Sequence, residues 1–281
     1  MGYNVISEFR GGKSIMALLK CEYYSNALSG RGEFYISLPN DVPPFMNETN
    51  PNYKRPMKTL VLLHGYSGLA SDWVTGSSAV ELAGAYNLAI VMPSGRNSFY
   101  IDKPSSGEKY GTFIGEELLD YVHKTFGLSD KPEDNFIGGF SMGGFGAIRN
   151  VLKYSNRYSK AIALSSALIV SQLKNFKPDD PNPMANYEYY VNTFGDLKEA
   201  ENTDASPEFL VREMKKEGKK LPEIYMACGS EDFLIEANKA FDKFLTDEGV
   251  THEFHVSEGI HNWTFWNQYI EPGIKWALDI K

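Results

Sequence analysis

Short apolar runs alternate along this chain with stretches whose apolar residues recur at helical spacing. Residues 58–64 (KTLVLLH), 89–92 (AIVM), 135–140, 161–165, 223–228 (EIYMAC) and 251–256 read as strands. The first leads into a Gly-rich turn, and Pro93 stops the second. Residues 33–38 (EFYISL) alternate in the manner of an exposed edge strand. Helical spacing covers 71–86, with Ser71 or Asp72 as its cap, and then 112–126, 143–158 and 237–248. A closing helix over 263–280 is interrupted by Pro272. Strands alternating with helices predict an α/β fold, a mostly parallel central sheet with helices on both faces joined by right-handed crossovers. Residues 166–222 break the rhythm with 57 polar, Pro- and Tyr-rich positions between two strands. They are expected to form a small insertion, or cap, over the carboxyl edge of the sheet, where such folds bind ligands.

The chain has 281 residues, enough for one large domain or two modest ones. With 42% hydrophobic and 23% charged residues, it is neither disordered nor fibrous. The net charge of -8 makes nucleic acid and anionic membrane poor partners. Cys21 and Cys228 form no C-x-x-C pair, which argues against a redox or zinc motif. No run approaches the roughly 18 apolar residues of a membrane span, and the N-terminus lacks the apolar core of a signal peptide. A cytoplasmic protein is the expectation. Residues 1–15 show no apolar period and precede a second methionine, Met16. They are expected to be an extension or cloning remnant, leaving residues 16–281 as one domain.

The chemistry concentrates in residues 135–147 (NFIGGFSMGGFGA), which contain Gly139-Phe140-Ser141-Met142-Gly143. A G-x-S-x-G pattern after a strand and before a helix is the setting of a nucleophile elbow, with the serine raised above the sheet. The spacing does not give G-x-G-x-x-G, and no Walker lysine is present, so nucleotide binding is weak. A serine nucleophile needs a histidine base and an orienting carboxylate, which follow it in the order acid then histidine in such sheets. His64 and His123 precede Ser141. His252 and His255 lie in or beside the last strand, pointing to opposite faces. His261 follows that strand at the carboxyl edge and is the expected base. Glu231 and Asp232 both follow strand 223–228. Asp232 is the better acid, because Gly-x-x-Asp puts a short carboxylate into the turn while Glu231 faces water. The oxyanion donors are expected to be the backbone N–H groups of Met142 and Tyr66, with Ser67 as the fallback, each worth roughly 3 kcal/mol. His64 is expected to brace that loop. Phe99, Tyr100, Trp263 and Trp266 are candidates for a substrate wall, together with Phe176, Tyr187, Tyr189, Tyr190 and Phe194 of the insertion.

Five motifs occur in order: LHGYSG at 63–68, MPSGRNSFYID at 92–102, GFSMGGFGA at 139–147, CGSEDFLI at 228–235 and EGIHNWTFW at 258–266. Together they resemble the α/β-hydrolase esterases of the esterase D type. That group includes tributyrin, acetyl and feruloyl esterases and S-formylglutathione hydrolases. The resemblance spans about residues 20–281 and implies a triad of Ser141, Asp232 and His261. The His64-Gly65 pair departs from the oxyanion loop usual in the thioesterase branch, which places the chain nearer the tributyrin and feruloyl esterases. The implied function is a serine carboxylesterase acting on small soluble esters through an acyl-enzyme on Ser141, with no metal or organic cofactor. Alternatives are a formylglutathione-type thioesterase, an acyltransferase, or a non-catalytic carbohydrate-binding relative. Homo-oligomerisation, acyl length and alcohol identity stay open.

Overall fold

The computed structural model of the chain describes residues 17–103, 106–182 and 184–280. The N-terminal extension expected over 1–15 lies outside the described residues. Eight strands form one sheet: β1 (Ala17–Ser25), β2 (Gly30–Leu38), β3 (Lys58–Leu63), β4 (Leu88–Pro93), β5 (Asn135–Phe140), β6 (Lys160–Leu164), β7 (Glu223–Gly229) and β8 (His252–Ser257). Their order is β1-β2-β4-β3-β5-β6-β7-β8. β1 and β2 run antiparallel to their neighbours, and every pair from β4 to β8 is parallel.

The side-chain alternation of a strand explains the two-faced core. Val61 and Leu63 of β3 and Ala161 and Ala163 of β6 enter one cluster. Their neighbours Leu60, Leu62, Ile162 and Leu164 enter the other. The first face is covered by the helices Leu118–Phe126, Met142–Lys153, Pro207–Lys216 and Ile235–Asp247. The second is covered by Ala79–Tyr86 and by the last helix, Trp263–Ala277. The chain changes face after β4, so the carboxyl ends of β3, β5, β6 and β7 share one rim, which is where a doubly wound sheet offers a binding crevice.

Three expectations need correction. The strand at 33–38 is not an edge: β2 lies between β1 and β4. The edge on that side is β1, whose five exposed positions hid the strand from its pattern. Lys20, Glu22, Glu33 and Arg31 form ion pairs across its outer surface. Such charge discourages edge-to-edge pairing. The last helix runs through Pro272, beside which Gly273 sits so near the sheet that a Cβ would meet Ile162 Cγ2 at 2.7 Å. The helix after β5 ends at Lys153, not near 158.

The span 166–222 is not wholly an addition. Its last part, the Pro207–Lys216 helix, packs on the Met142–Lys153 helix as an ordinary crossover. The remainder carries the Tyr187–Phe194 helix, whose Asn186 cap accepts from Tyr189 N–H. Arg149, 1% exposed, fastens this region to the core. It donates through Nη2 to Asp204 Oδ2 at 2.9 Å and through Nε to Asp204 O at 3.0 Å. Breaking a buried pair on one side leaves an uncompensated charge. Because Asp204 is half-exposed, Asp204→Ala is expected to cost about 1–3 kcal/mol, less than a fully buried pair. The double variant Arg149→Met/Asp204→Ala should recover part of that loss. Urea midpoints of the three proteins check this; a double variant no more stable than Asp204→Ala would refute it.

Candidate active site

The turn from β5 into the Met142–Lys153 helix holds Ser141 at φ 56°, ψ -121°. A non-Gly residue there carries backbone strain of about 1–3 kcal/mol. Two close approaches make the turn this sharp. A Cβ on Gly139 would lie 2.4 Å from Gly143 O, and one on Gly143 would lie 2.2 Å from Leu63 O. Hydrogen bonds hold the conformation: Ser141 N–H donates to Leu164 O at 2.9 Å, and Ser141 O accepts from Ala167 N–H at 3.0 Å. The neighbouring strand and the start of the insertion therefore both grip the serine.

His261 and Asp232 come together on the same rim. His261 Nδ1 lies 2.8 Å from Asp232 Oδ2. Asp232, 2% exposed, also accepts from Leu234 N–H at 2.9 Å through Oδ1. One carboxylate thus both orders its own turn and holds an imidazole. Burial pushes the Asp232 carboxyl upward. The hydrogen bonds from His261 and Leu234, with support from the Ser165 hydroxyl, outweigh it and hold the group below the usual carboxylate range. Glu231 is exposed, as its place in the turn implied. The Ser141 hydroxyl and His261 Nε2 have no hydrogen-bond partner among the described residues. In resting sites these bonds commonly tighten only around substrate.

Aromatic packing ties His261 to the elbow. Trp266 stacks on Phe140, the residue before Ser141, at 4.2 Å and 20°. It meets the His261 ring edge-on at 5.1 Å. Trp266 Nε1–H donates to Ser165 Oγ at 3.1 Å. Ser165 itself has φ 46°. Neither Ser165 nor this indole contact could be read from spacing, since 24 residues or more separate each partner from the elbow or from the other.

The loop after β3 is braced as expected. His64 is buried; its Nε2 accepts from Gly95 N–H at 2.8 Å, and its Nδ1 lies 2.7 Å from Gly65 O. Nε2 as acceptor makes Nδ1 the donor, so the ring is neutral and both nitrogens are occupied. Burial pushes its pKa down, against the Gly65 hydrogen bond and the Asp72 charge. Tyr100 OH donates to His64 O at 2.9 Å from beneath. Ser67 N–H donates to Asn97 Oδ1 at 2.7 Å, which removes it as an oxyanion donor. The N–H groups of Tyr66 and Met142 have no acceptor among the described residues.

Three of the four rings expected at a substrate wall, Phe99, Tyr100 and Trp266, are buried. Tyr100 is wholly buried, and Phe99 packs on Phe145 and Phe194. Trp266 is buried, and Trp263 is half-buried against Trp73 and Phe140. Phe99, Tyr100 and Trp266 pack into the rim, and Trp263 keeps part of its ring at the surface. In the insertion, Phe176 and Tyr190 line a cavity of about 280 Å³, Tyr187 packs at 6.0 Å from Phe176, and Phe194 is buried. Tyr189 does reach the site: its ring meets Tyr66 edge-on at 5.6 Å, and its OH donates to Asn97 O at 2.8 Å. Cys228 is buried, and desolvation pushes its thiol up to about 12. Phe233, directly after Asp232, lies against His261 and was missed, although the motif placed it beside the acid.

The fold and rim are those of the α/β hydrolases. The chain belongs to an esterase family whose model, described as "Putative esterase", matches residues 25–276. It is 41% identical over 265 residues to an acetyl esterase from Caldicellulosiruptor saccharolyticus, covering 94% of this chain and 99% of that one. Among solved structures it resembles an S-formylglutathione hydrolase from Staphylococcus aureus, with 31% identity, TM-score 0.78 and coverage of 94% and 100% of the two chains. It also resembles a substrate-bound fluorophosphonate-binding serine hydrolase from the same organism, with 30% identity, TM-score 0.79 and coverage of 94% and 98%. The chain is a carboxylic ester hydrolase of the serine-hydrolase class. Among the described residues, no helix is long and apolar enough to cross a membrane.

The lowered pKa of Asp232 fixes the sign of one pH effect. A carboxyl whose folded pKa lies below its unfolded value of about 3.9 stabilises the fold above that value. The contribution is lost as pH falls through the folded pKa. Asp232→Asn should therefore be less stable than the wild type at pH 7, with the gap narrowing between pH 5 and pH 2.5. Urea midpoints across that range check the expectation, and a gap independent of pH would contradict it.

Proposed function

We propose that Ser141 is the nucleophile, His261 the general base and Asp232 the residue that orients it, in an esterase that cleaves short-chain esters such as acetates. The observation that carries this reading is the strained Ser141 elbow on the rim shared by the His261–Asp232 pair. His261 takes the Ser141 proton as Oγ attacks the ester carbonyl. The tetrahedral oxyanion accepts from the N–H groups of Met142 and Tyr66, which have no other acceptor among the described residues. Collapse breaks the ester C–O bond, and His261 delivers its proton to the leaving alcohol. Water, activated by the same imidazole, then releases the acid from the acyl-enzyme. Asp232 holds Nδ1–H throughout and stabilises the imidazolium.

The acetyl preference rests on the 41% identity to an acetyl esterase. Thioester hydrolysis is the second reading, favoured by the 31% identity to an S-formylglutathione hydrolase over nearly the whole chain. The His64-Gly65 pair of the oxyanion loop favours the oxygen ester. A carbohydrate-binding relative without activity would need neither the strained serine nor the held imidazole.

Hydrolysis of p-nitrophenyl acetate tests the assignment. Ser141→Ala is expected to reduce kcat by about 10⁴-fold or more, with thermal stability unchanged. A fluorophosphonate probe should label the wild type on the peptide containing Ser141 and fail to label the variant. Activity that survives the substitution, or a label elsewhere, would remove Ser141 from the mechanism. A higher kcat/KM for S-formylglutathione than for any acetate would favour the thioesterase reading.

A further inference from the structure

Two large apolar side chains flank His261 and remain exposed. Phe233, directly after Asp232, is 69% exposed, and Ile260, directly before His261, is 50% exposed. The Phe233 ring centre lies 4.7 Å from that of the imidazole, with the planes inclined at 49°. The loops that carry them are locked together. Glu231 N–H donates to Gly259 O at 3.0 Å, and a Cβ on Gly229 would lie 2.2 Å from that same oxygen. Leu234 N–H, bound to Asp232 Oδ1, fixes the backbone on the other side of Phe233. The backbone on both sides of Phe233 is therefore fixed, and its ring stays largely uncovered beside His261.

The reaction determines what lies beside it. The imidazole that takes the serine proton must return a proton to the leaving oxygen, so that oxygen sits within hydrogen-bond reach of His261 Nε2. The acyl oxygen lies instead against the Met142 and Tyr66 amides. The two halves of an ester are thus separated, and the alcohol half extends from the His261 side of the site. We propose that Phe233, together with Ile260, forms the subsite for the alcohol portion of the ester and selects an apolar alkyl or aryl alcohol over a polyhydroxylated one. Covering exposed apolar surface is favourable in proportion to the area removed from water, and a hydroxyl-rich alcohol gains little from it. The proposal rests on the reading of His261 as the base.

A series of acetates with one acyl group and different alcohols tests it: methyl, butyl, benzyl and glyceryl. The wild type should favour benzyl and butyl acetate in kcat/KM by about tenfold or more over glyceryl acetate. Phe233→Ala should lose about tenfold on benzyl acetate, chiefly in KM, and less than about threefold on methyl acetate. Phe233→Leu should keep most of the benzyl preference. Preference among methyl acetate, butyrate and hexanoate should not change. An equal loss on every ester would make Phe233 a positioning residue for His261 and overturn the proposal, as would no loss on any. Glyceryl acetate as the best wild-type substrate would also overturn it. A shift in elution volume of Phe233→Ala on size exclusion would mean that a second copy covers the ring, which overturns it as well. Failure of the underlying mechanism reads differently: His261→Ala would then hydrolyse benzyl acetate normally.

Discussion

The site depends on one backbone conformation, the left-handed turn at Ser141. The hydroxyl can stand clear of the sheet only because the chain reverses within a single residue. That reversal brings the helix so near β3 and β5 that no Cβ fits at Gly139 or Gly143. Strain of this size persists where the surroundings over-determine it. Here β6 accepts the Ser141 N–H, the Ala167 N–H seizes its carbonyl, and the first turn of a buried helix continues from it. The same geometry leaves the Met142 N–H, at a helix N-terminus, without an acceptor among the described residues.

The strain is not confined to the serine. Ser67, Arg96, Phe99, Tyr100 and Ser165 also have positive φ, and all lie in loops leaving the carboxyl ends of β3, β4 and β6. Each is fastened by the next: Ser67 to Asn97, Tyr100 to His64, Ser165 to Trp266. Side chains that look like pocket material in sequence are occupied by this task. Buried Tyr100 braces the loop after β3 at His64 O, and buried Trp266 packs against the His261 ring. The rim is thus a set of short loops made rigid by aromatic filling, and the groups that face solvent are fewer than the aromatic count suggests.

The insertion belongs to that framework at one end. Its Tyr189 bonds to Asn97 O and packs on Tyr66, so this segment and the loop after β3 share a partner. Arg149, on the helix that starts at the elbow, holds the other end through Asp204. A change of substrate that moved this segment would have to disturb Asn97, which also holds Ser67. The position of this segment and the shape of the loop after β3 are mechanically linked.

Much of this was legible in the chain. Strand alternation and helical spacing fixed the parallel core, because buried strands and amphipathic helices leave periodic signatures. The turn at Ser141 and the meeting of His261 with Asp232 on its rim were legible, because both depend on local spacing and on place relative to a strand end. The edge strand β1 was not, since an edge needs no apolar alternation when charges guard it. Nor could spacing show that Trp266 serves Ser165 and His261, or that Phe99 and Tyr100 turn inward. Those are contacts between residues far apart in sequence, chosen by which side chain fills the volume left when the strands pair. The sequence by itself determined the strand–turn–helix around Ser141 and the places of Asp232 and His261 just past strand ends, on which the proposed chemistry rests. Tertiary packing decided which aromatics brace these loops, and it left Phe233 exposed beside His261.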